Sequence, residues 1–70
     1  MNVEVTIHMT DFSGHFYACN LGILEDFSNG DFDRWICDRM QHECGMIPYD
    51  GGRINARACS RVWYEMREVH

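Results

Sequence analysis

Residues 3–9 read Val-Glu-Val-Thr-Ile-His-Met (VEVTIHM), and this stretch decides how the fold begins. Apolar side chains occupy every second position, with polar side chains between them. Because successive side chains of a β-strand point to opposite faces of the sheet, this alternation predicts a strand with one buried face. The buried face is expected to hold Val3, Val5, Ile7 and Met9, and the exposed face Glu4, Thr6 and His8.

The residues after this strand predict a hairpin. Asp11-Phe12-Ser13-Gly14 combines an aspartate and a glycine in the way that is typical of tight turns. The next segment, His15 to Leu21 (HFYACNL), is rich in aromatic residues that favour strands. Residues 2–21 are therefore predicted to form an antiparallel β-hairpin.

Two helical segments are predicted in the middle of the chain. Asn20 is expected to cap a short helical turn over residues 21–27, which ends at Ser28-Asn29-Gly30. A longer helix is predicted from Asp31, as its N-cap, to Gly45, where it stops. Apolar side chains recur at every fourth position of that helix and predict a buried stripe, broadened by Cys37 and Ile47: Phe32, Ile36, Met40 and Cys44.

The last segment allows two interpretations. Residues 54–69 fit a helical period, and a helix is the preferred prediction, after a loop at residues 49–52. The alternative is a strand over Arg61–Val69, because valine, tryptophan and tyrosine favour sheets. The predicted fold class is α+β: one domain, residues 1–70, in which an N-terminal antiparallel hairpin packs against two or three helices.

Size and composition limit the possible functions. Of the 70 residues, 46% are apolar and 13% aromatic, which predicts a packed core rather than disorder. A core this small supplies only about 3–5 kcal/mol, so a deep substrate pocket would compete with it for side chains. Because no catalytic motif or phosphate-binding loop is present either, a non-enzymatic protein without a cofactor is expected.

The chain carries no segment of the length and apolar character that a membrane span needs. Its first residues lack the basic and apolar regions of a signal peptide, so a cytoplasmic location is expected, the host cytoplasm if a phage encodes the protein. In that reducing compartment the four cysteines would be thiols or metal ligands.

Charge is unevenly distributed along the chain. There is no lysine, and residues 25–50 hold seven acids against two arginines. These acids are Glu25, Asp26, Asp31, Asp33, Asp38, Glu43 and Asp50. One interpretation is an ordinary solvated surface. The other is an acidic face that binds a basic partner, because such charge repels nucleic acid itself and attracts proteins that bind it.

Ion pairs within the chain and the helix dipole could balance part of this negative charge. Asp38 is expected to pair with Arg34, and Glu43 with Arg39, each at a spacing of four residues. Asp31 and Asp38 would share one helix face. Aromatic residues could complete an interface, because tryptophan and tyrosine often dominate binding energy: Trp35, at the edge of the apolar stripe near Arg39, and Tyr64, on the polar side of the last helix. The alternative for Trp35 is a role at the edge of the core.

Cysteine and histidine residues raise the possibility of zinc. Structural zinc sites usually use pairs of cysteines two to four residues apart, and the chain has no such pair. Cys37 and Cys44 lie two helical turns apart, and all four cysteines fall on faces predicted to be buried. Free buried thiols are therefore favoured, although a metal site drawn from Cys19, Cys59, His15, Cys37, His42 and Cys44 remains an alternative.

The overall profile resembles anti-CRISPR proteins, the small phage proteins that inhibit bacterial defence complexes, including type I effectors. The segments that carry the resemblance are LEDFSNGDFDRW (residues 24–35) and DGGR (residues 50–53), read as acidic surface. The resemblance implies occupation of the DNA-binding surface of a CRISPR effector, with acidic groups imitating DNA. Four cysteines and an arginine-bearing last segment depart from a uniformly acidic mimic, so an interface of acids and aromatics is expected. Two other functions stay open: a small zinc-binding module, and a structural or assembly protein that binds copies of itself.

Overall fold

The computed structural model describes residues 1–70 and is mostly β-structure, with 51% of residues in strands and 24% in helices. The elements in chain order are β1 (Val3–Asp11), β2 (Phe16–Leu24), α1 (Asn29–His42), β3 (Met46–Tyr49), β4 (Gly52–Asn55), a single 3₁₀ turn (Ala56–Ala58) and β5 (Cys59–Glu68). The prediction of a hairpin packed against two or three helices is therefore wrong. One α-helix packs against two sheets.

The alternating N-terminal segment becomes the central strand of the larger sheet. The strand order is β2-β1-β5, and β1 runs antiparallel to both of its neighbours. The predicted hairpin is confirmed, with Val3 opposite Leu24 at its open end and Thr10 opposite Phe16 near the turn. A central strand has neighbours on both edges, which explains why the cleanest pattern in the sequence organises the whole sheet.

The turn of this hairpin is organised by one carboxylate. Asp11 accepts hydrogen bonds from the backbone N–H of Ser13 at 2.8 Å and of His15 at 3.0 Å. It also accepts one from the hydroxyl of Tyr17 at 2.8 Å. These bonds stabilise the charged form, so the pKa of Asp11 lies below its usual value, with the tyrosine bond the largest cause. The turn predicted at residues 11–14 is thus confirmed, and its aspartate also holds the start of β2.

The short helix predicted over residues 21–27 does not form. Strand β2 continues to Leu24, and a β-bulge shifts its register opposite the step from Val5 to Thr6. Asn20 does cap a backbone group, because its side chain accepts from the N–H of Gly22 at 2.7 Å, but it does so within the bulge. Gly22 has a φ of +82°, a conformation that glycine adopts without the steric cost of a side chain. Pairing with β1 therefore outweighs a weak local helix signal.

Helix α1 corresponds to the longer predicted helix, but its N-cap lies three residues earlier. Its N-cap is Ser28 rather than Asp31, and the two side chains form a reciprocal capping box. Glu43 is the C-cap, and Gly45, with a φ of +79°, donates its N–H to the carbonyl of Arg39 at 2.7 Å. The helix therefore ends at His42, before the predicted stop at Gly45.

The helix predicted over residues 54–69 is wrong, and the alternative strand is correct. The chain forms β4, the 3₁₀ turn and then β5, which pairs with β1 along its length, with a bulge opposite Thr10 and Asp11. A pattern of apolar residues at 62, 66 and 69 fits a helix, but Val62, Tyr64 and Met66 also alternate as a strand does. The open edge of β1 decides between the two, and no local window of sequence contains that information.

Strands β3 and β4 form a second, two-stranded sheet. The segment predicted as a loop includes its tight turn, because Tyr49 pairs with Gly52 around Asp50 and Gly51. Ile47, expected to broaden the helical stripe, lies in β3 and is fully buried.

The hydrophobic core lies between the inner face of the larger sheet and the layer formed by α1 and the β3–β4 hairpin. Its fully or nearly fully buried members are Val3, Val5, Ile7, Met9 and Ile47. Phe32, Trp35 and Ile36 of α1 pack against this cluster. The outer face of the larger sheet has no helix on it, so the molecule presents two different surfaces: a helical layer and a bare sheet.

Candidate partner-binding surfaces

The acids of residues 25–50 lie on and around α1, with one exception. Glu25 and Asp26 are in the connection from β2, three aspartates are on the helix, and Glu43 is its C-cap. Asp50 lies instead in the β3–β4 turn, where it lines a shallow cleft with Ala18 and Cys19 of β2. The structure thus gathers six of the seven predicted acids around one helix.

Asp31 is committed to the helix itself. Its carboxylate accepts from the backbone N–H of Ser28 at 2.8 Å and from its hydroxyl at 3.0 Å, and it forms an ion pair with Arg34. These contacts lower the pKa of Asp31, with the backbone hydrogen bond the largest cause. Arg34 was predicted to pair with Asp38, and that prediction is wrong because the closer Asp31 takes the guanidinium. Asp31 therefore shapes the helix start rather than offering free charge.

Two further acids have weak partners. Asp26 lies 3.6 Å from the N-terminal amine, and Asp38 lies 3.8 Å from the Nε2 atom of His42. All four groups are more than half exposed, so water screens both pairs. The histidine pair contributes charge attraction only when the imidazole is protonated.

The remaining acids, Glu25, Asp33, Glu43 and Asp50, have no arginine, histidine or terminal amine within 4.0 Å. The predicted pair between Arg39 and Glu43 is wrong, because the Arg39 guanidinium lies over the ring of Trp35, 5.0 Å from its centre. The helical layer therefore carries exposed negative charge that its own arginines do not neutralise.

Trp35 and Tyr64 both take part in packing. Trp35 is partly buried against the core beneath Arg39, as the core-edge interpretation expected. Tyr64 does not lie on the polar side of a helix. It lies on the inner face of β5 opposite Ile7, and its ring contacts Phe27 and Phe32 with centroids 5.2 and 5.0 Å away.

The cysteines are all free, but only two of them are partly buried. Cys37 and Cys44 are exposed, contrary to the prediction. Cys37 lies on α1, whereas Cys44 follows the C-cap with a φ of +54° and is no longer part of the helix. Cys19 and Cys59 lie on the inner face of the larger sheet, and burial raises the pKa of both thiols. No group of three or more metal-ligating side chains is close enough together to hold an ion.

The bare face of the larger sheet was not singled out from the sequence. His8 on β1 stacks with Trp63 on β5, with ring centroids 5.4 Å apart and planes 20° apart. The Arg61 guanidinium lies 4.4 Å from the Trp63 ring centre. Phe16 and Ile23 of β2 are exposed on the same face. The signal that could have found this face is the alternation at residues 61–67, once that segment is read as a strand.

A shallow apolar groove of about 570 Å³ separates α1 from β5. It is lined by Phe32, Asp33, Ile36, Cys37, Ala56 and Val62. The groove runs beside the outer edge of β5, which pairs with no other strand.

Comparison with known proteins does not indicate a function for these surfaces. No protein-family model matches the chain, and no curated protein or solved structure is significantly similar to it. The only α-helix is too short and too polar to cross a membrane. Function must therefore be argued from the surfaces themselves.

Proposed function

We propose that this protein is a non-enzymatic inhibitor that binds a basic, nucleic-acid-handling protein and covers its DNA-binding surface with the acidic helical layer. A subunit of a CRISPR effector is the partner class that the resemblance to anti-CRISPR proteins suggests. The observation that carries the proposal is the set of exposed acids around α1 that lack arginine partners: Glu25, Asp33 and Glu43, with Asp26 and Asp38 only weakly paired.

The physical reason is the free energy that an unpaired surface charge can contribute to a partner. The Asp31 carboxylate already accepts from Ser28 and pairs with Arg34, so its negative charge is largely balanced within the chain and would attract a partner only weakly. Asp33 has no such contact and is exposed. Unpaired acids attract a cationic surface over about 8 Å at physiological salt, as the phosphates of DNA would. The helix holds the backbone of Asp33 and Asp38 in place, so binding has to order only their side chains.

The proposed interface differs from the one expected from sequence in its aromatic part. Trp35 is partly buried beneath Arg39, and Tyr64 is packed under Phe27 and Phe32. Neither ring projects freely as an anchor. The proposal therefore rests on charge, with Trp35 and Arg39 as the edge of the same surface.

The first experiment is a pull-down with the tagged protein from lysate of a bacterium that carries a type I CRISPR system, followed by mass spectrometry. Capture of a nucleic-acid-binding complex, with loss of that complex's DNA binding, is the expected result. Affinity for the captured protein should fall steeply as salt is raised from 50 to 500 mM, a range chosen to shorten the screening length from about 14 to about 4 Å.

The second experiment compares two charge reversals of equal size. Asp33→Arg is expected to weaken binding about tenfold or more, whereas Glu68→Arg, at the end of β5 and outside residues 25–50, should leave it within about twofold. Both positions are exposed and neither side chain has an arginine partner, so both variants should fold. Equal effects of the two reversals, or none from Asp33→Arg, would contradict an interface on the helical layer.

A further inference from the structure

We propose that two copies of this chain pair antiparallel along β5, joining their three-stranded sheets into one continuous sheet. This inference is independent of the proposed function. It concerns the edge of β5 and the groove beside α1, whose lining includes Asp33, and it is tested without any partner protein.

The first reason is that β5 is the edge strand of the larger sheet that the second sheet does not pack beside, although β2, at the other edge, also pairs only with β1. On the other side of the sheet, the β3–β4 hairpin packs next to β2, where the rings of Tyr17 and Tyr49 meet at 4.9 Å. No strand pairs with the outer edge of β5. Unpaired backbone groups at a sheet edge are a template for pairing with another strand.

The second reason is that the charges on β5 select one register. A two-fold pair centred on Trp63 places Arg61 of each copy opposite Glu65 of the other, on the outer face of the sheet. Registers centred on Tyr64 or Glu65 would instead place Arg61 opposite Arg67, or Glu65 opposite itself. Like charges directly opposite each other destabilise a strand pair, and opposite charges stabilise it.

A register centred on Met66 would also pair opposite charges, Glu65 with Arg67. That arginine is already bound within the chain, because it donates to Glu4 at 2.6 Å. Arg61 has no acid within 4.0 Å, and its guanidinium lies over the Trp63 ring. The register centred on Trp63 therefore uses a free guanidinium.

The third reason is the groove between α1 and β5. An added strand presents alternate side chains to the inner face of the sheet, where this groove offers an apolar surface lined by Phe32, Ile36 and Val62. In the register centred on Trp63, Tyr64 of the second copy lies opposite Val62. Met66 follows it on the same face and is 48% exposed in the single chain. Pairing would cover apolar surface that one copy leaves open.

The geometry has a consequence for the acidic layer. The two-fold axis of such a pair is perpendicular to the sheet, so both copies of α1 lie on the same side. The dimer would present two acidic helical layers side by side, and both outer faces, with their His8–Trp63 stacks, would form one continuous surface opposite them.

The test is the mass of the purified protein by sedimentation equilibrium, from about 1 µM to 1 mM, under reducing conditions that exclude disulfide-linked dimers. The wild type is expected to shift from monomer to dimer across this range. Arg61→Glu and Glu65→Arg should each raise the dimer dissociation constant about tenfold or more, because each places like charges opposite each other twice. The double variant with both changes should restore it to within about threefold of the wild type.

Arg57→Glu serves as the matched control, because it makes the same charge change in the 3₁₀ turn, off β5, and should leave the dissociation constant unchanged. Circular dichroism verifies that each variant is folded. A wild type that stays monomeric at 1 mM, a dimer indifferent to Arg61→Glu, or a double variant no stronger than the single ones would overturn the inference. None of these outcomes bears on binding by the acidic layer.

Discussion

The two faces of the three-stranded sheet are built from the same strands and have opposite characters. On the inner face, Val5, Ile7 and Met9 are fully buried under α1 and β3. On the outer face, Glu4, Thr6 and His8 alternate with them and meet solvent. The inner face stabilises the fold through removal of apolar surface from water. The outer face contributes stacking and ion pairs that water weakens, which leaves its residues available for contacts with other molecules.

Substitutions in the middle of β1 give the strongest test of the difference between the inner and outer faces of the sheet. Ile7→Ala removes a fully buried side chain and should lower the free energy of unfolding by about 2–5 kcal/mol, because a cavity adds to the lost transfer energy. Thr6→Ala, the neighbouring position on the outer face, should cost less than about 1 kcal/mol. Urea denaturation followed by circular dichroism measures both. A similar loss for the two variants would mean that the faces do not differ as described.

The outer-face stack is expected to give a smaller effect. Trp63→Ala removes the contacts with His8 and Arg61, and we expect a loss of about 1–2 kcal/mol, of which the aromatic pair accounts for about 0.5–1.5 kcal/mol. His8→Ala in the wild type and in the Trp63→Ala background completes a double-mutant cycle. A coupling energy near zero would show that the two rings are neighbours without interacting.

Substitutions at the start of α1 test how much the capping box stabilises the helix. Ser28→Ala removes half of the capping box and should cost about 1 kcal/mol. Asp31→Asn should cost a similar amount, whereas Asp33→Asn, in the same helix but without a capping contact, should cost less than about 0.5 kcal/mol. Thermal unfolding of the three variants measures the order of these stability losses. Equal stability losses for Asp31→Asn and Asp33→Asn would contradict the distinction between an acid that caps the helix and an acid that makes no contact within the chain. The proposed interface depends on that distinction.

The smallest effect is expected from pH, and it concerns the hairpin turn. The hydrogen bonds of Asp11 lower its pKa, and the same contact raises the pKa of Tyr17. Stability from Asp11 is therefore complete above the ordinary aspartate value of 3.8 and is lost as pH falls through the lower value in the folded state. Stability from Tyr17 is complete below 10.0 and is lost as pH rises through its raised value.

Unfolding temperatures measured between pH 2 and 11 should therefore fall at both ends, in addition to any general effect of the net charge. In Tyr17→Phe the alkaline fall should become shallower, because the phenol that contacts Asp11 is gone, and the acid fall should also shrink because Asp11 loses the hydrogen bond that lowers its pKa most. A variant with the same profile as the wild type would show that this contact does not link the turn to β2.

Local signals predicted the elements whose evidence lies within a few residues. The alternation around Ile7 identified β1, Asp11 and Gly14 identified the turn, and the recurrence of Phe32, Ile36 and Met40 identified α1. The charge distribution also identified the acids before their surroundings were known. Which of these acids are free could not be predicted, because Arg34 and Arg39 each had more than one possible partner within reach. Arg34 pairs with Asp31, and the guanidinium of Arg39 lies over the ring of Trp35.

By itself, the sequence determined a hairpin built on β1, one well-capped helix and an excess of acid around that helix, because periodicity, capping and charge are local properties. Only the tertiary structure decided that residues 59–68 form a strand, since the same apolar residues suit a helix until the open edge of β1 provides a partner. It also decided which sheet face is bare and which edge is free. Those properties depend on contacts between segments far apart in the sequence, such as that between Glu4 and Arg67, which are 63 residues apart, and no local pattern encodes them.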